Sequence, residues 1–146
     1  LLFLVLINAT ATILMTGVIW FVQIVHYPLF AFVGATNFTV YEEIHKRLTT
    51  VVVGPLMVLE LMSSLLIPIL SVEITMVFSS YLGLAMVVVI WLVTAFVQIP
   101  LHNQLSAGYS LPSVNILVKS NWIRTALWSG RSILVLFLIF LAFDQI

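Results

Sequence analysis

Cysteine is absent from this 146-residue chain. That removes disulfides, thiolate metal sites and cysteine nucleophiles, and leaves the redox compartment open. Charge is almost as scarce, with only 7% of residues Asp, Glu, Lys or Arg and a net charge of zero. Water-soluble domains carry about 25% charged residues, so a soluble fold is excluded. No basic run exists, so nucleic acid is not expected as a partner. Phosphate-binding glycine loops, serine-elbow motifs and HExxH are missing too.

What fills the chain is apolar: 63% of residues are hydrophobic, and mean hydropathy is +1.27. Four stretches, roughly 1–26, 48–70, 75–100 and 122–143, each reach the length of about 20 apolar residues that a membrane-crossing helix needs. The expected fold is all-α, a transmembrane four-helix bundle forming one membrane domain over 1–146. The chain opens on LLFLVL without an initiator Met, so residues are expected before Leu1. The first stretch does not read as a cleaved signal: it lacks a basic start and an A-x-A site, and it runs too long.

Pro28 is expected to stop the first helix just after His26, since residues before proline resist helix. Ser71 to Ile74 make a tight antiparallel hairpin of the second and third spans. The other two connections are longer and amphipathic. Thr39-Val40-Tyr41-Glu42 fits a capping box opening a helix into the second span. Ser110-Leu111-Pro112 suits a helix start leading into the fourth. Gly54-Pro55 is expected to kink the second span. Phe21-Val22-Gln23-Ile24 recurs as Phe96-Val97-Gln98-Ile99, each soon followed by a histidine. That repeat predicts two similar helical-hairpin halves related by an axis along the membrane normal. Lys46, Arg47, Lys119 and Arg124 share one end, against Glu73 and Asp144 at the other. The positive-inside rule therefore predicts that the His-bearing end is cytoplasmic, in what is expected to be a bacterial inner membrane.

The few polar residues carry the functional expectations. At helical spacing they form one stripe per span: Trp20, Gln23 and His26 (or Tyr27); His45, Thr49, Leu56 and Glu60; Trp91, Thr94, Gln98 and His102; Asn121, Arg124, Trp128 and Arg131. Lipid offers polar atoms no partners, so the stripes should face one another. A charge at the bilayer centre costs about 2.5–3.5 kcal/mol on insertion scales, which predicts that Glu60 and Arg131 form a buried pair. That pair either locks two helices, or has Glu60 moving a proton or anchoring a ligand with Arg131 tuning it.

His26, His45 and His102, with Glu42 nearby, are candidate ligands for zinc, iron or copper. Glu42-x-x-His45 is one copy of a pattern that di-iron bundles use twice. His26 and His102 could instead ligate a haem, or a single histidine a (bacterio)chlorophyll. The bland alternative is interfacial histidines touching water and headgroups. The sequons Asn8-Ala9-Thr10 and Asn37-Phe38-Thr39 are discounted, the first as lying within a span.

Pro100-Leu101-His102-Asn103-Gln104-Leu105, followed by Asn121-Trp122-Ile123-Arg124-Thr125, resembles the anthrone-oxygenase-like family of small four-span membrane proteins. The resemblance covers mainly the second half of the chain and touches Pro100, Leu105, Asn121, Arg124 and Thr125. His102 stands where that family has Asn, with Asn103 displaced by one. The resemblance implies oxygenation of polycyclic phenols such as anthrones, without an established cofactor.

These features together predict a membrane oxidoreductase or oxygenase-like enzyme acting on a lipophilic aromatic or quinone-like molecule. Membrane lipid is its surroundings. His26, His45 and His102 would be metal ligands or acid/base groups. Arg124, Arg131 and Asn121 would serve developing negative charge, and Glu60 proton movement. The competing expectation is an accessory subunit bound to other membrane subunits of a redox or photosynthetic complex.

Overall fold

The computed structural model of the chain describes residues 1–144. Within them lie four long apolar helices: α1 (Leu2–Phe32), α2 (Ala35–Leu70), α3 (Ile74–Ala107) and α4 (Leu111–Phe143). Each is long and apolar enough to cross a membrane. At 1.5 Å per residue the longest, α2 with 36 residues, runs about 54 Å, well beyond a hydrocarbon core of about 30 Å. The helix ends that carry the histidines are therefore continuous extensions of the spans. The longer connections expected from sequence are mostly helix.

The helices form a ring in which each packs against its two sequence neighbours, α4 closing onto α1. Outward faces carry exposed Phe3, Ile69, Phe78, Phe96 and Ile133, as lipid contact requires. Inside, two apolar plugs fill the bundle. Met15, Ile19, Phe30, Phe38 and Trp128 belong to the plug towards the His-bearing end. Val5, Ile67, Met76, Leu138 and Ala142 fill the other end.

Pro28 does not end α1. The helix widens into a π turn at Val22–His26, where the Tyr27 N–H reaches back to the Val22 carbonyl, and then continues through Pro28. α3 does the same at Thr94–Gln98, two residues ahead of Pro100, with the Ile99 N–H bonded to the Thr94 carbonyl. The widened turn re-routes the ladder where the proline ring would clash and its missing N–H would leave a gap. α2 runs unbroken through Pro55 and Pro68.

Thr39 is not a cap either. α2 opens at Ala35 behind Gly34, whose φ of 82° lies in the left-handed region that glycine tolerates. Thr39 and Glu42 thus lie inside the helix, and Glu42 turns inward instead of capping. At the starts of α3 and α4 side chains do cap. Glu73 accepts from the Thr75 and Met76 N–H groups at 2.8 and 2.6 Å, and Ser110 accepts from the Ser113 N–H at 3.4 Å. The halves are less alike than their shared tetrapeptide implies. Gln23 bonds Asn121 and Val118, and Gln98 bonds Ser120, so both reach α4. A two-fold axis relating the halves would send Gln23 to α2.

Candidate functional site

Two polar centres interrupt the apolar interior. The deeper one is built around Glu60 and Arg131, each 1% exposed. Glu60 Oε1 accepts from Arg131 Nε and from Thr12 Oγ1, both at 2.8 Å, and its Oε2 accepts from Trp128 Nε1 at 3.0 Å. Arg131 donates further to the Gly83 carbonyl, and at 3.2–3.4 Å to Ser64, Thr12 and Asn8. Asn8 is itself anchored on Ser63, Ser64 and the Glu60 carbonyl. All four helices meet here. Every carboxylate oxygen and guanidinium nitrogen has a partner, which is what a charge pair buried in low dielectric requires. Nothing is left over for a substrate: this centre is a lock.

The second centre lies near the His-bearing end, where the π turns sit. A π turn holds one residue more than an α turn and so rotates everything after it by about 100°. His26 ends such a turn and Tyr27 follows it on α1, and His102 follows one on α3. Opposite them, Glu42 and His45 sit one turn apart on α2.

The resulting contacts are short. His26 Nε2 lies 2.8 Å from His45 Nδ1, which also meets Thr49 Oγ1 at 3.1 Å. His102 Nδ1 lies 2.5 Å from Glu42 Oε1, and its Nε2 meets the Tyr27 hydroxyl at 2.9 Å. The rings of His26 and His45 are 4.7 Å apart, and those of His45 and His102 are 5.4 Å apart. Phe30 lies edge-on to all three. Glu42 is fully buried, and its Oε2 has no hydrogen-bond partner. Such an orphaned carboxylate oxygen is costly away from water.

A cavity of about 840 Å³ ends on this cluster. α2 and α3 form its sides through Val53, Met57, Trp91 and Thr94, and Met15, Ile19 and Val22 of α1 back it. His45, Tyr27, His102 and Arg124 give it a polar end. Its lips include Val51, Val58 and Ile99, all exposed on the lipid-facing surface. With His45 Nδ1 engaged by His26 and Thr49, Nε2 is the nitrogen left for the cavity. Arg124 lies beside the Tyr27 phenol, and its guanidinium stands 5.1 Å over the Trp128 ring. Trp128 therefore touches both centres, bonding Glu60 with its indole N–H.

The residues expected from sequence divide accordingly. His26, His45, His102 and Glu42 come together, and Arg124 borders the same cavity. Glu60 and Arg131 pair as expected, in a separate layer without access to that cavity. Asn121 is not at the site: its amide donates to Gln23 Oε1 at 2.9 Å and ties α4 to α1. His26 and His102 do not frame a haem. The nitrogens such a ring would need point at His45 and Tyr27, and the His45 ring stands against both imidazoles.

Sequence reasoning had no role for Tyr27 beyond an alternative to His26, and it passed over Asn8, Thr12 and Ser64. A polar residue in the middle of an apolar span was the available signal for Asn8. Glu42, His45 and His102 each offer one ligand atom, and these atoms lie within 4.8 Å of one another. Comparison with family models, with curated proteins and with solved structures gives no match for this chain.

Proposed function

We propose that the chain is a small membrane oxidoreductase of oxygenase type, acting on a lipophilic phenol, anthrone-like or quinone-like molecule drawn from the bilayer. The observation that carries this reading is the cavity itself, with apolar sides, lips on the lipid-facing surface and a polar end. A soluble substrate would need no opening between two spans.

The polar end suits proton removal from a ring hydroxyl or an activated C–H. His45 Nε2 would take the proton, its ring held from behind by His26 and Thr49. Arg124 would stabilise the oxyanion that forms. Tyr27, on the His102–Glu42 pair, would orient the substrate oxygen. For an anthrone-like methylene the overall change is CH2 plus O2 giving C=O plus H2O, with dioxygen as the oxidant.

The same residues fit a divalent metal ion. Glu42, His45 and His102 would hold it, and the orphaned Glu42 Oε2 is the feature that favours it. A bound ion would supply Lewis-acid or redox chemistry. Ion and substrate proton would compete for the His45 Nε2 lone pair, so metal content decides between them. The excess of Lys46, Arg47 and Lys119 at this end supports a cytoplasmic orientation in a bacterial inner membrane.

Metal analysis, an optical spectrum and oxygen uptake with a panel of anthrones and hydroquinones test the proposal together. Turnover that falls about 10²- to 10⁴-fold in His45→Gln, with melting unchanged, supports it. Absence of turnover by the reconstituted protein counts against it. A chain stable only beside larger partners would favour an accessory subunit instead.

A further inference from the structure

Two arginines are buried on α4, and they are satisfied very differently. Arg131 has a carboxylate and a ring of neutral acceptors. Arg124, two turns away and 6% exposed, has no carboxylate within 4.0 Å among the described residues. The ion pairs there are Lys46–Glu43, His102–Glu42 and Arg131–Glu60. Arg124 Nε is buried without a hydrogen-bond partner. A ring face and a phenol surround the guanidinium, and they soften its desolvation without neutralising it. Arginine does not shed its proton, so a buried unpaired guanidinium calls for an anion. Glu42 is the carboxylate of the neighbouring cluster, and His102 already engages its Oε1.

Arg124 also lines the cavity, where most neighbouring side chains are apolar. The other charged groups lining it are Glu43, Lys46 and Arg47. Glu43 is paired to Lys46 at 3.0 Å, which leaves the lining's balance positive.

We infer that the cavity binds its ligand as an anion: a lipophilic molecule with one ionised oxygen group, a carboxylate or an acidic phenol or enol, set against Arg124. The apolar body of that molecule lies between α2 and α3. A volume of about 840 Å³ suits one ring system or one chain, within the range of about 300–1,000 Å³ usual for small-molecule sites. The planar fork of arginine matches a two-oxygen head. The inference rests on reading the cavity as the substrate site, and narrows the substrate from any lipophilic aromatic to an acidic one. A lipid headgroup could offer the same oxyanion, so the test separates the two sources.

The experiment is a titration of the purified full chain in neutral detergent, read by tryptophan fluorescence, since Trp91 lines the cavity and Trp128 touches Arg124. Dodecanoate, dodecanol and an anionic two-chain phospholipid are compared. Dodecanoate is expected to bind roughly ten- to a hundredfold more tightly than dodecanol, the worth of a charge-assisted contact. Arg124→Gln should erase that preference and Arg124→Lys should keep part of it. If Arg124→Gln does not fold, the lysine variant and the parent chain still decide. Equal affinity for acid and alcohol in the parent overturns the inference. So does a preference that survives in the glutamine variant, or binding by the phospholipid alone. Acid preference without turnover of any phenol leaves this inference standing and removes the enzyme reading. Turnover without acid preference does the reverse.

Discussion

Removing one partner of a buried ion pair strands the other charge where no water can reach it, and Glu60 and Arg131 set up that experiment. Arg131→Leu or Glu60→Leu alone should destabilise the bundle by about 3–5 kcal/mol. The double replacement should recover part of this, since both charges go together. Recovery stays partial because Thr12, Asn8 and the Gly83 carbonyl lose their partner. Thermal melting in detergent reads all three variants, and single variants that melt like the parent would show that the pair is no lock. Tyr27→Phe probes the other centre, where the hydroxyl that meets His102 is lost and the buried ring is kept. One hydrogen bond is worth about 0.5–1.5 kcal/mol of stability. If Tyr27 positions a substrate, turnover falls by more than that loss explains, roughly tenfold or beyond. An equal fall in both quantities would make the residue structural.

Whole elements approach one another at two glycines of unequal tolerance. A Cβ on Gly83 would meet the Arg131 guanidinium nitrogen at 3.2 Å and the Leu134 side chain at 3.4 Å. That guanidinium is tied to the other three helices and cannot retreat. A Cβ on Gly130 would meet only the far end of the Met86 side chain, at 3.0 Å. Gly83→Ala should cost about 1–3 kcal/mol, the price of overpacking, and Gly130→Ala distinctly less. The reverse order in a melting series would contradict this picture of a fixed α3–α4 contact. The π turns are tested by shortening. Deleting Ala95 removes the one extra residue, so the turn should close to α geometry and leave His102 facing Tyr27 and Glu42. Circular dichroism should show helix retained and turnover or metal binding should survive, whereas loss of both would contradict a turn that absorbs one extra residue. The α3 cap offers a pH test outside the membrane. Backbone N–H groups of Thr75 and Met76 hold the Glu73 carboxyl below its ordinary range. A depressed carboxyl stabilises the fold above its unfolded pKa, and the contribution is lost as pH falls through the folded value. Glu73→Ala should therefore melt below the parent at neutral pH and converge with it in acid.

At the scale of the whole molecule, four apolar runs were enough to read the bundle, because lipid leaves few alternatives to helices for chains of this composition. The meeting of His26, His45 and His102 was legible for the same reason: polar side chains in a greasy background must find one another. What was hidden depends on registers that composition does not encode. Pro28 reads as a stop unless a wide turn precedes it, and no side-chain pattern announces a π turn. Asn121 reads as a site residue because it shares a helical stripe and a family-like motif with Arg124, yet it faces α1. Glu60 and Arg131 were legible as a pair, but not as a layer closed off from the cavity. Orientation remains the largest expectation still carried by sequence bias alone, and the missing cysteines make it easy to test. Single cysteines placed by Lys119→Cys or Glu73→Cys would be the chain's sole thiols. Lys119 is exposed and Glu73 half-buried, at opposite ends of the bundle. In intact bacterial cells a membrane-impermeant maleimide should label the Glu73→Cys protein and spare the Lys119→Cys protein until the membrane is opened. The opposite labelling would put the histidine cluster at the outer face. Arg124 would then count only as a site residue, since a buried arginine at the end of a cavity no longer reports on which side the positive charge belongs.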